Sequence, residues 1–309
     1  MSLRTLLRNS SFILVLSLIA GIAIGQGAAY TRPTVTPLLA LIMTLSLVGV
    51  SSDIFKGGRS LVRPIGVAIL LNYGLLGGAM VLLAYLLVDD PTLRAGYVLV
   101  AAIPPAVAVI PFTYRLGGNV SFTLLGAIAC YFAAFLLTPA ITVAALGTSL
   151  VSPWRIVSAL LQLIAAPFLI SRLLRRSRRV TDWLDRYRGV LLNWGFFVVI
   201  YTIIGLNRDA FLDMSPELVP MALVSFMCTF GLAFAVYGVS RAFGVIATNS
   251  VSYAVMAGWK NYGMAGAIAL LYLGEMAALP SAITTAFAIV NFVVLNMTVA
   301  VRAEETASA

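Results

Sequence analysis

Long apolar stretches separated by short polar ones dominate the chain. Ten of them have the roughly 18 residues or more that a membrane-spanning helix needs. They lie at about 11–30, 35–52, 65–88, 95–114, 120–147, 152–174, 189–206, 217–240, 246–273 and 279–301. The first follows Arg4 and Arg8, as a signal peptide would. Its apolar run is longer than such a peptide's, however, and Gly-Ala-Ala near its end is a weak cleavage site, so it reads as a retained span. Two stretches are interrupted. The fourth holds IPPAVAVIP, with Pro104, Pro105 and Pro111, and the ninth holds GWKNYG, where Gly258 and Gly263 bracket Trp259, Lys260, Asn261 and Tyr262. Proline removes a backbone donor and glycine weakens a helix, so both stretches are expected to break. Divided near Thr148–Pro153, the ten form two sets of five, and an odd number per set gives the halves opposite orientations. The pattern predicts an all-α polytopic membrane protein of ten transmembrane helices arranged as two inverted five-helix repeats, 1–148 and 149–309. Paired interruptions at matching positions point to a transporter binding site.

Composition fits this reading. The 309 residues are 61% hydrophobic and 10% charged, against about 25% charged in a soluble domain, so almost nothing remains for one. With the N-terminus inside, the inner segments hold Arg4, Arg8, Lys56, Arg59, Arg63, Arg115, Arg172, Arg175, Arg176, Arg178, Arg179, Arg186, Arg188, Arg241 and Arg302. The outer ones hold only Arg32, Arg94, Arg155 and Arg208. This asymmetry puts both termini in the cytoplasm. It also explains the net charge of +9 as membrane topology and excludes nucleic acid as a partner. The longest inner segment, SRLLRRSRRVTDWLDRYRG, reads as an amphipathic interfacial loop or a plain topological anchor. Cys130 and Cys228 lie in apolar spans and read as small buried residues. Histidine is absent and no metal or cofactor motif occurs.

Lys260 is the anomaly. A charge in mid-membrane costs about 2.5–3.5 kcal/mol by insertion scales and marks a functional site. Its ammonium is expected near the C-terminal end of the first half of span nine, where carbonyls carry partial negative charge. Asn72, Pro104, Pro105, Ile110, Thr113, Trp259, Asn261 and Tyr262 are the candidate substrate-binding or cavity-lining residues; Pro111, Gly258 and Gly263 are the candidate helix breaks. For Asn72 and Asn261, bonding to broken-helix backbone competes with binding substrate. Asn119 is expected to cap span five, and Asn291 and Asn296 to bond between helices.

At TYRLGGNVSFT and LLTPAIT, and at MAGWKNYGMAGAIALLYL, the chain resembles the bile acid:sodium symporter family over nearly its whole length. The resemblance implies a panel domain (11–52 with 152–206) against a core domain (65–147 with 217–301), with spans four and nine crossing in the core. It also implies a bacterial inner (plasma) membrane. Sodium-coupled members use oxygen ligands that are largely missing here. The expected Glu is Met256, the expected Gln is Lys260, and a Ser-Asn pair falls on Val109 and Ile110. One span-five hydroxyl remains as Thr123 while a second falls on Ala127, and a span-three Gln falls on Asn72. A sodium ion 4–5 Å from Lys260 would meet a repulsion of about 3–4 kcal/mol at an effective dielectric near 20. The resulting expectation is a divergent, sodium-independent transporter in which Lys260 replaces the bound sodium. It would carry a small organic anion (bile-acid-like, steroid-like or a small carboxylate) by alternating access.

Two alternatives stay open: proton coupling, if Lys260 gives up its proton during the cycle, and a non-transporting ligand receptor on a transporter scaffold. An enzyme is disfavoured, since no histidine, paired intramembrane carboxylate or metal-ligand spacing is present. The lipid bilayer and a small anionic substrate are the expected partners. Monomer and homodimer are not distinguished.

Overall fold

The computed structural model describes residues 10–50, 58, 60–148, 152–213 and 216–307. Arg4, Arg8, Lys56 and Arg59 of the charge argument, and residues 149–151 of the Thr148–Pro153 division, lie outside them. Among the described residues there is helix and no strand. This follows from a bilayer solvent that offers no hydrogen bonds to an open backbone. Twelve helices carry the fold: α1 (Ser10–Ile24), α2 (Val35–Val48), α3 (Val62–Leu87), α4 (Pro91–Ala102), α5 (Val109–Arg115), α6 (Val120–Leu146), α7 (Pro153–Leu174), α8 (Arg178–Leu206), α9 (Leu218–Ala242), α10 (Ala247–Gly258), α11 (Tyr262–Tyr272) and α12 (Glu275–Ala307).

Seven segments among the described residues are long and apolar enough to cross a membrane. Their relation to the ten expected stretches is direct. The first two stretches merge into one candidate, Phe12–Val48, because short helical turns over 25–34 replace a loop. The chain nevertheless reverses there. Gly49 lies against Arg188 and Ile42 against Gly195, whereas Gly21 lies against Ile204 and Gly25 against Gly205, so α1 and α2 run along α8 in opposite senses. The interrupted fourth and ninth stretches drop out because neither half of each reaches the length of a span. The remaining six stretches are continuous helices.

One expectation is corrected. The arginine-rich segment after α7 is no separate interfacial loop. The chain turns at 175–177 and then runs as one 29-residue helix, Arg178–Leu206, through the charged segment and the apolar span. Nothing from Arg178 to Arg188 breaks a helix, and Leu184 is buried against Leu45 and Val48 of α2. Arg172 and Arg175 donate to the carbonyls of Leu47 and Val50, satisfying the end of α2.

α1 and α2 pack on α8, and α7 packs on α2. α3 to α6 and α9 to α12 form a second packed group, which meets the first where α12 crosses α8 and α1, where α7 meets α6, and where α11 touches α2, α7 and α8. Three helices carry a π-helical stretch in mid-span: Leu70–Gly77 in α3, Leu161–Ala165 in α7 and Met227–Gly231 in α9. Asn119 caps α6 as expected, accepting from the Phe122 amide at 3.0 Å, and Asp90 caps α4. Asn291 donates to the Thr229 carbonyl across the α9–α12 contact, whereas Asn296 is exposed.

Close helix approach uses glycine at few places. At Gly96 of α4 a Cβ would stand 2.3 Å from the Ala277 carbonyl oxygen and 2.8 Å from Pro280 of α12. Gly96→Ala is therefore expected to cost about 1–3 kcal/mol through overpacking. Gly78→Ala, where a Cβ would meet nothing within 4 Å, should be neutral or stabilising by up to about 1 kcal/mol. Thermal unfolding in detergent compares the two.

Candidate functional site

The two interruptions meet. α4 ends at Ala102, the backbone is irregular over 103–108, and α5 begins at Val109. α10 ends at Gly258, Trp259 is extended (φ −132°, ψ 131°), and α11 begins at Tyr262. The Asn261 amide donates to the Pro104 carbonyl at 2.9 Å, tying one break to the other.

Freed backbone groups at this depth need partners, and the side chains around the breaks supply them. Asn72 Nδ2, from the π-helical stretch of α3, donates to the carbonyls of Met256 (2.9 Å) and Trp259 (3.0 Å). Tyr262 Oη donates to the Gly258 carbonyl at 3.1 Å, and Thr138 Oγ1 to the Ala102 carbonyl at 2.7 Å. Asn261 Oδ1 caps α11 by accepting from the Met264 amide at 3.1 Å. Pro104 and Pro105 occupy the first break. Pro111 is not part of it: it falls in the first turn of α5, where the missing amide has no partner to lose. Gly258 lets α10 approach α9, since a Cβ would stand 2.9 Å from Ala233.

Lys260 is wholly buried. At the end of α10 the carbonyls of Met256 and Gly258 accept from Asn72 and Tyr262, and the Lys260 ammonium makes no hydrogen bond among the described residues. It lies over the Tyr73 ring instead, 4.4 Å from the centroid, a cation–π geometry favoured where water is excluded. Gly77 lies alongside: a Cβ there would stand 3.6 Å from Nζ, an ordinary contact, and 2.9 Å from the Ala101 carbonyl oxygen of α4. Cys130 of α6 and Cys228 of α9 are both buried. Sequence reading had treated both cysteines as small buried residues and had not singled out Tyr73.

The positions that resemble sodium ligands hold no ready cage. Met256 is buried, with its carbonyl given to Asn72. Thr113 Oγ1 donates to the Val109 carbonyl (2.8 Å) and lies 3.0 Å from Thr123 Oγ1, and Val109 and Ala127 are buried. Asn72 Oδ1 is buried without a partner.

Beside the crossing lies a cavity of about 510 Å³, within the roughly 300–1,000 Å³ of small-molecule sites. It is bounded by Leu14 of α1, Ser46 to Val50 around the end of α2, Ala106 to Phe112 around the first break, Trp259 to Gly263 around the second, α8 from Arg188 to Ile204, and α12 from Ala282 to Val293. Ile110, Pro111, Trp259, Asn261, Tyr262 and Gly263 of the candidates border it, as does Lys260, although its ammonium sits at Tyr73 and Gly77, which do not. Asn72, Pro104, Pro105, Thr113 and Gly258 do not border it. Phe112 stacks on Phe292 (4.0 Å between centroids) and meets Trp259 edge-on (6.3 Å), building an aromatic wall. Lining residues missed in the sequence come chiefly from α8 and α12, whose uniformly apolar stretches carry no local mark of a site. Val199, Ile203 and Ile204 at one end of the cavity are buried, while Tyr114 and Val293 at the other are exposed. The buried end lies toward Arg32, which pairs with Glu275 at 2.5 Å and joins the α1–α2 turn to the start of α12.

Helices interrupted at membrane depth around a solute-sized cavity define an integral membrane protein of the secondary-transporter class. A profile of the sodium bile acid symporter family matches residues 36–212, more than half of the chain, and the protein belongs to that family. It is thus a membrane transporter of the bile acid symporter kind. No curated protein matches it.

Asn72 carries two carbonyls of the break, and stranding buried acceptors costs about 1–3 kcal/mol each. Asn72→Ala is expected to lower stability by about 2–5 kcal/mol on that basis. Asn261→Ala, which loses one cap, should cost about 1 kcal/mol. Equal melting temperatures for Asn72→Ala and the native protein would contradict this assignment.

Proposed function

We propose that the protein carries a small organic anion across the membrane by alternating access without sodium, with the Lys260 ammonium as a built-in replacement for the bound ion. The observation that carries this is the buried ammonium on the Tyr73 face beside the crossing, with Met256 where a carboxylate would be needed. A sodium ion would gain few oxygen ligands there and would be repelled by Lys260. Bile-acid-like, steroid-like and small carboxylate cargo all suit a cavity with an aromatic wall and few polar groups. The fold behind this reading is ten spans in two inverted repeats, 1–148 and 149–309. Its support is the reversal between α1 and α2, the two broken helices in fourth and ninth position, and π-helical stretches in both third spans of the halves, α3 and α9. A panel, 11–52 with 152–206, and a core, 65–147 with 217–301, belong to the same reading, supported by the presence of two packed groups. The setting proposed is a bacterial inner membrane with both termini cytoplasmic.

Uptake of a labelled organic anion into proteoliposomes is expected to be unchanged when choline replaces sodium. A steep response to sodium would overturn the reading, and binding without flux would favour a receptor. Lys260→Gln removes a desolvated cation–π contact of about 2 kcal/mol. It should slow transport about tenfold or more, by that same energy, without rescue by sodium. Lys260→Arg cannot release its proton. If native transport varies with pH and the arginine variant abolishes that dependence, proton coupling through Lys260 replaces the ion-independent reading.

The arginine-bearing end of the cavity is assigned to the cytoplasm, which makes this an inward-open state closed outside by Arg32 and Glu275. Tyr114→Cys should label with an impermeant maleimide from the inside. Adding Arg32→Ala should reduce that labelling by no more than about fivefold, because the ion pair is partly exposed and worth at most about 1 kcal/mol. No change on adding Arg32→Ala would remove the pair from the gate.

A further inference from the structure

Lys260 cannot meet a cargo directly, because its ammonium is turned away from the cavity. The charge that does border the cavity belongs to Arg188. The other arginines along the first turns of α8, Arg178, Arg179 and Arg186, are exposed, as positive-inside anchors are. Arg188 differs: its side chain is only 32% exposed and is folded onto the backbone of α2. A Cβ at Gly49 would stand 2.1 Å from Nη1 and 2.9 Å from Cζ, so the guanidinium fills the space that a side chain at position 49 would take. Both residues border the cavity, and Ser46 and Asn193 border it one turn or so away on the same two helices. Asp185, three residues earlier on α8, pairs with Arg188 at 3.5 Å and is its only polar partner among the described residues. A guanidinium carries five N–H donors in a planar fork, so most remain available to a carboxylate or sulfonate, which the fork can bind in bidentate fashion. Away from this end the wall is apolar: Phe196, Ile200 and Ile203.

We propose that Arg188, seated on Gly49, binds the anionic group of the cargo at the mouth of the cavity while the cargo's apolar body lies inward against Phe196, Ile200 and Ile203. The inference rests on the reading of this cavity as an organic-anion transport site and adds the residue that selects charge and sets orientation. The ligand class is an amphipathic monoanion whose charge lies at one end.

The test is a thermal-shift titration of the full-length protein in detergent with carboxylates from short fatty acids to cholate, each paired with its methyl ester. The pair differs in charge and hardly in shape, and a ligand stabilises the folded state by mass action. The native protein is expected to bind at least one carboxylate about tenfold or more tightly than its ester, the size of one charge-assisted contact. Arg188→Gln should erase that preference while leaving ester binding intact, and Arg188→Lys, which keeps charge but loses the fork, should retain part of it. The unliganded melting temperatures of both variants establish that they fold. A carboxylate preference that survives in Arg188→Gln, or equal binding of acid and ester by the native protein, overturns the role of Arg188 and leaves the transport reading standing. If neither acids nor esters stabilise the native protein, the organic-anion reading of the cavity falls and this inference with it.

Discussion

The hydrogen bond from the Asn261 amide to the Pro104 carbonyl joins two stretches of irregular backbone at membrane depth. Lipid offers no partners there, so a broken helix is stable only if protein groups satisfy what the break exposes. Much of the surrounding structure serves that requirement. The π-helical stretch of α3 brings Asn72 to the end of α10, Thr138 of α6 reaches the end of α4, and Tyr262 reaches back to Gly258. Each bond comes from a different helix, so the break assembles only when those helices pack together. The cavity follows from the same arrangement, since the backbone at each break gives up the side-chain cover of a full helix turn.

Charge is divided between two places. Lys260 is sealed on the Tyr73 ring with no acidic partner among the described residues, and Arg188 lies at the partly exposed end of the cavity beside Asp185. The two environments suit different tasks. A buried cation with a fixed aromatic partner can hold helices together but cannot reach a solute. A guanidinium with one surface partner and free donors can. Lys260 drew attention in the sequence as a charge deep in an apolar span, at a position where the resemblance expects an amide. Arg188 sat in a run of arginines that topology alone accounts for, and only its burial against Gly49 separates it from its neighbours.

The legible parts of the fold were those that composition writes locally. Apolar length located the spans, and Pro104, Pro105, Gly258 and Gly263 located both breaks to within a few residues. The α1–α2 junction was less clear, because a helical turn rather than a polar loop reverses the chain there. The arginine-rich segment misled for the opposite reason. Its charges looked like a loop at the membrane surface, but nothing in it stops a helix, and Leu184 anchors it to α2. Pro111 looked like a breaker and instead lies in the first turn of α5, a position at which proline costs nothing.

By itself the sequence determined that this is a helical membrane protein, that two of its apolar stretches cannot be continuous helices, and that a lysine stands in one of them. Hydropathy and backbone propensity are local quantities, and ten or twenty residues suffice to express them. The tertiary structure alone decided that the two breaks touch, that Asn72 serves backbone and lies off the cavity, that Tyr73 receives the ammonium, and that α8 and α12 build most of the cavity wall. Those outcomes depend on contacts between residues as much as 187 positions apart, as in the bond from Asn72 to the Trp259 carbonyl. No local pattern encodes which of several equally apolar helix faces will meet, because that choice is made by packing among all of them at once.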